Sequence, residues 1–195
     1  MKPQIDLELL LSYGANCKKY AKGEILFYEG DEALYYYQIV EGSVKMYNSN
    51  DEGKEYTQGY FSEGQSFGEP PMFIDECYPA SAMAFQDTEI LKLHKDRFWK
   101  ILDENPKIER HFLKLMARRI HNKATTSKDI INQKPEFRIQ AFLDSCKKSR
   151  EKELIEFTRQ EIANFTGLRV ETVIRTLLKM KQKKIVDIVN HKIFY

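Results

Sequence analysis

The hydrophobic period of this chain changes once, near His94, and that change restricts the fold to a strand-built part followed by a helical part. Before it, short runs place aromatic and β-branched residues at near-alternate positions: 24–28 (EILFY), 35–40 (YYYQIV), 43–47 (SVKMY), 55–61 (EYTQGYF), 81–85 (SAMAF) and 88–93 (TEILKL). Turn residues punctuate them, notably Gly30-Asp31, Gly42 and the polar cluster 48–53. Such spacing predicts an antiparallel sandwich or barrel, and the strand count fits a small jelly roll. After His94, residues 95–103 read as a short helix ending before Asn105-Pro106, because proline restricts the residue before it. Pro106 suits a helical first turn, and one long helix is expected from there to about Asn132. Its apolar residues Ile108, Phe112, Leu115, Met116, Ile120, Ala124, Ile130 and Ile131 recur at steps of three and four. A lone exposed helix of that length needs a partner, so Phe112, Met116, Ile120, Ala124 and Ile131 are expected to form a dimer seam. Pro135 is expected to mark a hinge. The expected class is α+β, with a sensor barrel over 1–105, a dimerisation helix over 106–134 and a small domain over 135–195.

Charge separates the same parts. Residues 1–105 hold ten Lys+Arg against nineteen Asp+Glu, a net −9, and residues 106–195 hold 21 against 10, a net +11. A basic half of this size points to a polyanion, from which the acidic half would be repelled. No apolar run is long enough for a membrane helix, and the first residues lack a signal-peptide pattern. Cys17, Cys77 and Cys146 are isolated and odd in number, which fits neither a disulfide framework nor a metal knuckle. A reducing cytoplasm is the expected compartment.

Within the basic half, residues 158–180 carry the most specific pattern. Thr158 with Glu161 forms a capping box. Ala163 is small where a second helix must cross closely, and Gly167 sits where the chain must turn with positive φ. Ile162, Leu168, Val173 and Leu177 supply a shared core. This is a helix-turn-helix pattern. Its second helix, starting near Arg169, would expose Arg169, Val170, Glu171, Arg175 and Lys179, and the N-terminal part of such a helix enters the major groove of double-stranded DNA. Arg175 can bond guanine O6 and N7, and Glu171 can accept from cytosine N4. Thr158, Arg159, Gln160, Thr172 and Lys179 are placed for phosphates, with Arg169, Val170, Glu171 and Arg175 assigned to bases. Residues 184–195 read as a hairpin wing turning at Asn190-His191.

With these motifs in view, the whole chain resembles the Crp/Fnr family of bacterial transcription factors. In the barrel the resemblance rests on Lys22-Gly23-Glu24-Ile25-Leu26-Phe27, Glu29-Gly30-Asp31, Val40-Glu41-Gly42-Ser43-Val44-Lys45 and Phe67-Gly68-Glu69. In the basic half it rests on Thr158-Arg159-Gln160-Glu161-Ile162-Ala163 and Val170-Glu171-Thr172-Val173-Ile174-Arg175. It implies a cyclic-nucleotide-binding-like jelly roll, a long dimerisation helix and a winged helix-turn-helix. It further implies a homodimer on a palindromic promoter site that recruits or blocks RNA polymerase, with Glu171 and Arg175 at the family's base-reading positions.

The sensor departs from that family. Cyclic-nucleotide binders follow the Gly-Glu pair with an Arg-Ser pair that clamps the phosphate, eleven residues past the glycine. Counted from Gly68, those positions hold Pro79 and Ala80, and no arginine occurs between residues 20 and 96. Pro70 and Pro71 also remove amide donors. A buried, unpaired phosphate charge costs several kcal/mol, so cyclic AMP is not expected to bind, and no cofactor is expected. Glu69 then reads as a cap for loop amides. An uncharged or aromatic effector among Tyr47, Tyr56, Phe61, Phe67, Gly68, Glu69 and Phe85 is the remaining candidate, beside simple barrel filling. Cys17 stands alone, so an iron–sulfur cluster is not expected. His94, His111 and His121 have no evident axial partner for haem, and Cys77 reads as an ordinary cysteine.

Enzyme classes find no support. A cupin-type metal site needs several histidines inside the barrel, and residues 1–93 contain none. There is no P-loop and no nucleophile elbow. The alternative class is a sensor or scaffold whose helix-turn-helix contacts protein, against which the basic second helix argues.

Overall fold

The computed structural model describes residues 3–131, 134–147 and 151–195, the side chains of 125–131 excepted. The chain divides into two compact units, Met1–Arg119 and Ile120–Tyr195.

In the first unit a short helix α1 (Leu7–Ser12) precedes β1 (Asn16–Tyr20), β2 (Ile25–Phe27), β3 (Tyr35–Glu41), β4 (Ser43–Ser49), β5 (Glu55–Ser62) and β6 (Ser66–Phe67). A one-turn helix α2 (Glu69–Met72), β7 (Ser81–Ala84), β8 (Thr88–His94), α3 (Lys95–Glu104) and the first part of α4 (Pro106–Ile131), which belongs to this unit as far as Arg119, follow. The strands make two antiparallel sheets in the orders β1-β8-β3-β6 and β2-β7-β4-β5. Apart from the β4–β5 hairpin, neighbours in both sheets come from distant parts of the chain, as a jelly roll requires. All six expected strands are present. β1 carries no apolar alternation, since four of its five residues are exposed; its pairing with β8 makes it a strand.

Alternation along β3 divides the core. Tyr37 and Ile39 face the sandwich interior, where Phe27, Tyr37, Phe67 and Tyr78 pack ring on ring. Tyr36 and Gln38 face the helices. Tyr36 stacks on Phe98 at 4.7 Å, and Phe98 meets Phe112 edge-on at 5.2 Å. The buried Gln38 amide is satisfied: its oxygen accepts from the Ile5 N–H and the Tyr36 hydroxyl, and its nitrogen donates to Ile5 O.

The long helix divides its apolar residues differently from the expected seam. Phe112 is 1% exposed inside this unit's own core, with Ile108, Leu115 and Met116 packed beside it. Phe112 therefore stabilises the barrel unit and does not form the seam expected of it, and Met116 is half-buried against the same core. Steps of three and four mark two faces of one helix, and tertiary packing chooses which face is buried. The exposed apolar residues of α4 are Leu113, Ala117, Ile120 and Ala124, with Leu113 and Ile120 both 71% exposed. Ile131's side chain lies outside the described residues.

The second unit contains α5 (Pro135–Cys146), β9 (Leu154–Ile155), α6 (Arg159–Thr166), α7 (Val170–Gln182), β10 (Asp187–Val189) and β11 (Lys192–Phe194). Pro135, expected as a hinge, is instead the first residue of α5, where its missing N–H is harmless. Ile139, Phe142 and Leu143 of α5 meet Ile162, Val173, Leu177, Met180 and the sheet residues Ile155 and Ile193 in one core. The sheet order β10-β11-β9 completes a winged helix-turn-helix.

Candidate nucleic-acid interface and sensor pocket

Two caps and a glycine build the helix-turn-helix. Thr158 Oγ1 accepts from the Glu161 N–H at 3.2 Å, and Glu161 Oε2 accepts from the Thr158 N–H at 2.6 Å. This capping box starts α6. Gly167 ends it at φ 68°. A Cβ there would meet no atom within 4 Å, so backbone conformation alone requires glycine. The Leu168 N–H then closes on Ala163 O at 3.2 Å, and Ala163 is 2% exposed where the helices cross.

α7 has two unlike sides. Val173, Thr176, Leu177 and Met180 are buried, whereas Arg169, Glu171, Arg175 and Lys179 are exposed and Val170 and Thr172 half-buried. Glu171, Arg175 and Lys179 follow one another at four-residue steps on the outer side. No ion pair joins them among the described residues, so their charges remain available. Thr158 and Gln160 are exposed at the start of α6, and Gln160 donates to Asn164 Oδ1 at 2.8 Å. Arg159 is half-buried and donates through Nη1 to His191 O, tying α6 to the wing. The wing turns through Asn190 (φ 47°) and His191 (φ 62°), a two-residue hairpin loop closed by the pairing of Val189 with Lys192. Between wing and helix start lies a cleft of about 300 Å³ edged by Thr158, Arg159, His191 and Lys192.

The candidate effector residues are not brought to one place. Phe61 pairs across from Val44 and Ala84 on the inner face of the second sheet. Phe67 is fully buried in the ring stack. Tyr47 alternates to the opposite side of β4, with Lys45 Nζ 4.5 Å over its ring, and burial followed by Glu55 raises its phenol pKa. Phe85 packs edge-on against Tyr60, whose partner Lys45 shares that outer side. Tyr56 is 38% exposed at the strand end, opposite Asn48. The seven residues therefore line no common pocket, because strand alternation sends Tyr47 and Phe85 away from Phe61.

Gly68 and Glu69 hold their positions for a different reason from the expected one. Gly68 has φ 77°, and a Cβ would stand 3.3 Å from the Phe27 and Tyr78 rings. Glu69, with no exposed side chain, caps no loop amide. Its Oε2 accepts from Arg119 Nη1 at 2.5 Å, while Arg119 Nη2 donates to Ser66 O at 2.6 Å. Glu69 Oε1 is buried without a hydrogen-bond partner. Arg119 comes from α4, fifty residues along the chain, and its guanidinium also lies 5.6 Å from the Phe61 ring centre. Sequence reading missed it because only arginines near the cassette were considered; a basic residue on the long helix gives no local signal of reaching the barrel.

At the cassette itself, Ala80 is 2% exposed. Asn48 Nδ2 donates to Pro79 O at 2.7 Å and to Glu29 Oε2 at 2.9 Å. Among the described residues, no three His, Cys, Asp or Glu side chains converge as a metal site, and no helix is long and apolar enough to cross a membrane.

Comparison with known proteins agrees with this architecture. Residues 17–105 match the cyclic nucleotide-binding domain model, and residues 138–194 match the Crp-like helix-turn-helix domain model. The cAMP-activated global transcriptional regulator CRP of Salmonella typhimurium is 30% identical, over 95% of this chain and 92% of that protein. The transcriptional activator protein anr of Pseudomonas aeruginosa is 28% identical, over 85% of this chain and 70% of its own length. Among solved structures, the c-di-GMP-responsive regulator CLP of Xanthomonas campestris superposes with a TM-score of 0.82 at 20% identity, covering 96% of each chain. FixK2 of Bradyrhizobium japonicum gives 0.79 at 21% identity, covering 92% of this chain and 91% of its own.

Fold and reading helix together define a DNA-binding transcriptional regulator. The chain belongs to the Crp/Fnr family, whose members are transcription factors and not enzymes.

Proposed function

We propose that the protein acts as a homodimer on a palindromic promoter site, where each copy inserts α7 into the major groove and reads bases through Glu171 and Arg175. The observation that carries this is the two-sided α7: a buried apolar face holds it, and an outer face presents Glu171, Arg175 and Lys179 with no ion pair among the described residues. Thr158, Gln160, Thr172 and the Arg159-His191-Lys192 cleft flank that face with donors for phosphates, which fix register without specifying sequence. RNA polymerase is the proposed protein partner, and the cytoplasm the proposed compartment.

The dimer contact is assigned to Leu113, Ala117, Ile120 and Ala124. Their spacing of four, three and four residues is a coiled-coil seam, and all four are exposed in one copy. Ile120 and Ala124 remain from the expected seam, and Leu113 and Ala117 replace Phe112 and Met116. Ile120→Glu should shift sedimentation from dimer toward monomer; a variant that stays dimeric removes Ile120 from the contact.

Cyclic AMP is not the effector in this reading. Pro79 and Ala80 supply no phosphate ligand, and the Glu29 carboxylate held by Asn48 beside Pro79 would repel an anion. Calorimetry with cyclic AMP should show no heat, and micromolar binding would defeat the point. The decisive experiment for the whole reading is selection of genomic fragments by the purified protein. It should return a two-fold symmetric operator with affinity falling steeply as salt rises. Fragments without symmetry, or binding indifferent to salt, would overturn it.

A further inference from the structure

One end of the barrel gathers cations with no acid to meet them. Cross-strand register puts Asn16, Lys92 and Tyr37 side by side on one face, and Lys18, Ile90 and Ile39 beside them. That face points into the sandwich, since Ile39 and Ile90 are fully buried and Tyr37 lies opposite Phe67. Lys18 and Lys92 are therefore diagonal neighbours on the same face, with Lys18 exposed on the edge strand β1, about 7 Å apart at the backbone. Lys92 is half-buried with Nζ 3.6 Å from the Tyr35 ring centre and 5.7 Å from that of Tyr37. Lys18 Nζ lies 4.4 Å over the Tyr20 ring.

Elsewhere in this unit, Lys19, Lys45, Lys95 and Lys100 each face a carboxylate within 4.0 Å. Lys18 and Lys92 face none among the described residues. Lys92 loses proton affinity first through burial and then through Lys18. Tyr37 moves the other way: burial first, then Tyr78, Tyr20 and Tyr35, with the hydrogen bond of its hydroxyl to Tyr78 among the causes, raise its pKa. Asp31 and Glu69 act on Tyr78, behind this cluster.

We propose that Lys18, Lys92, Tyr20, Tyr35 and Tyr37 form a binding site for a small oxyanion of the phosphate type. Two ammonium groups supply charge and N–H donors, and the tyrosine rings wall the site. An anion between the ammonium groups would remove their repulsion, and each charge-assisted hydrogen bond would be shortened and strengthened by the partly buried setting.

The test is calorimetric titration of the full chain with inorganic phosphate, and in parallel with phenyl phosphate. Binding is expected for the unaltered protein and for Lys54→Met, which removes an exposed cation from the turn between β4 and β5. Lys18→Met and Lys92→Met should each weaken it by roughly tenfold or more. Lys18 is exposed, so its variant folds and keeps the test decisive if Lys92→Met does not. Tighter binding of phenyl phosphate than of inorganic phosphate would identify a phosphate ester as the ligand class, and equal affinities the free ion. No heat with either probe, or an affinity unchanged in Lys18→Met, would overturn the proposal.

Discussion

Along α7, Glu171, Arg175 and Lys179 stand exposed with no ion pair among the described residues. In the barrel, by contrast, Glu69 is fully buried and clasped by Arg119, and Asn48 is spent on Pro79 and Glu29. The reading unit thus keeps its polar side chains for something outside the chain, and the barrel uses the corresponding groups to hold itself together. Membership of a family therefore does not carry every site with it. The helix-turn-helix carries the charged positions that its pattern implies, whereas Pro79 and Ala80 stand where the family resemblance implies arginine and serine.

If the barrel's polar groups are structural, removing one half of the Glu69–Arg119 pair should give the largest effect. Arg119→Ala leaves a buried carboxylate unpaired and is expected to cost about 3–5 kcal/mol in denaturant unfolding. Replacing both residues by methionine should restore most of that loss. A single Arg119→Ala that unfolds like the unaltered protein would erase the contrast between the units.

If the reading unit's charges serve DNA, Arg175→Ala should lose about 1–3 kcal/mol of discrimination at one half-site position. Arg159→Ala should instead weaken binding to every sequence alike. Equal behaviour of the two against a panel of operator variants would remove the distinction between base reading and phosphate positioning. Thr158→Ala removes the capping box of α6 and should lower stability by about 1 kcal/mol without changing base preference.

One prediction for the barrel is read by chemical reactivity. The Cys17 thiol, 2.9 Å from Glu89 Oε1, has its pKa pushed up to about 11 by burial and then by that carboxylate. At pH 8 it is almost wholly protonated, so iodoacetamide should label it about a hundredfold more slowly than a free thiol. The rate should climb as pH rises toward 11. Labelling at the free-thiol rate at pH 8 would show that Glu89 does not hold it.

Much of the fold was legible because its signals are local. The strand runs between residues 24 and 93, the Thr158–Glu161 cap, the positive φ of Gly167 and the Asn190-His191 turn each depend on a few adjacent residues and are found where expected. β1 and the role of Pro135 were not, because a strand without apolar alternation is made by its partner and a proline permits either a hinge or a helix start. The base-reading candidates lie together on the outer side of α7, since four-residue spacing on a helix fixes a common face. The proposed aromatic pocket dissolved because a β-bulge and strand alternation, not proximity in sequence, decide which rings meet.

Residue identity and short-range periodicity were enough for the order of barrel, long helix and reading domain. They were also enough for the charge split between the halves and for the absence of arginine and serine at positions 79 and 80. Three further outcomes waited on packing: Phe112 turns inward while Leu113 and Ile120 turn out, Arg119 crosses fifty residues to Glu69, and Lys18 and Lys92 share a face. Each depends on which surfaces come to lie against each other. Burial of a helix face, or the register of two distant strands, is a property of the folded chain that no local pattern specifies.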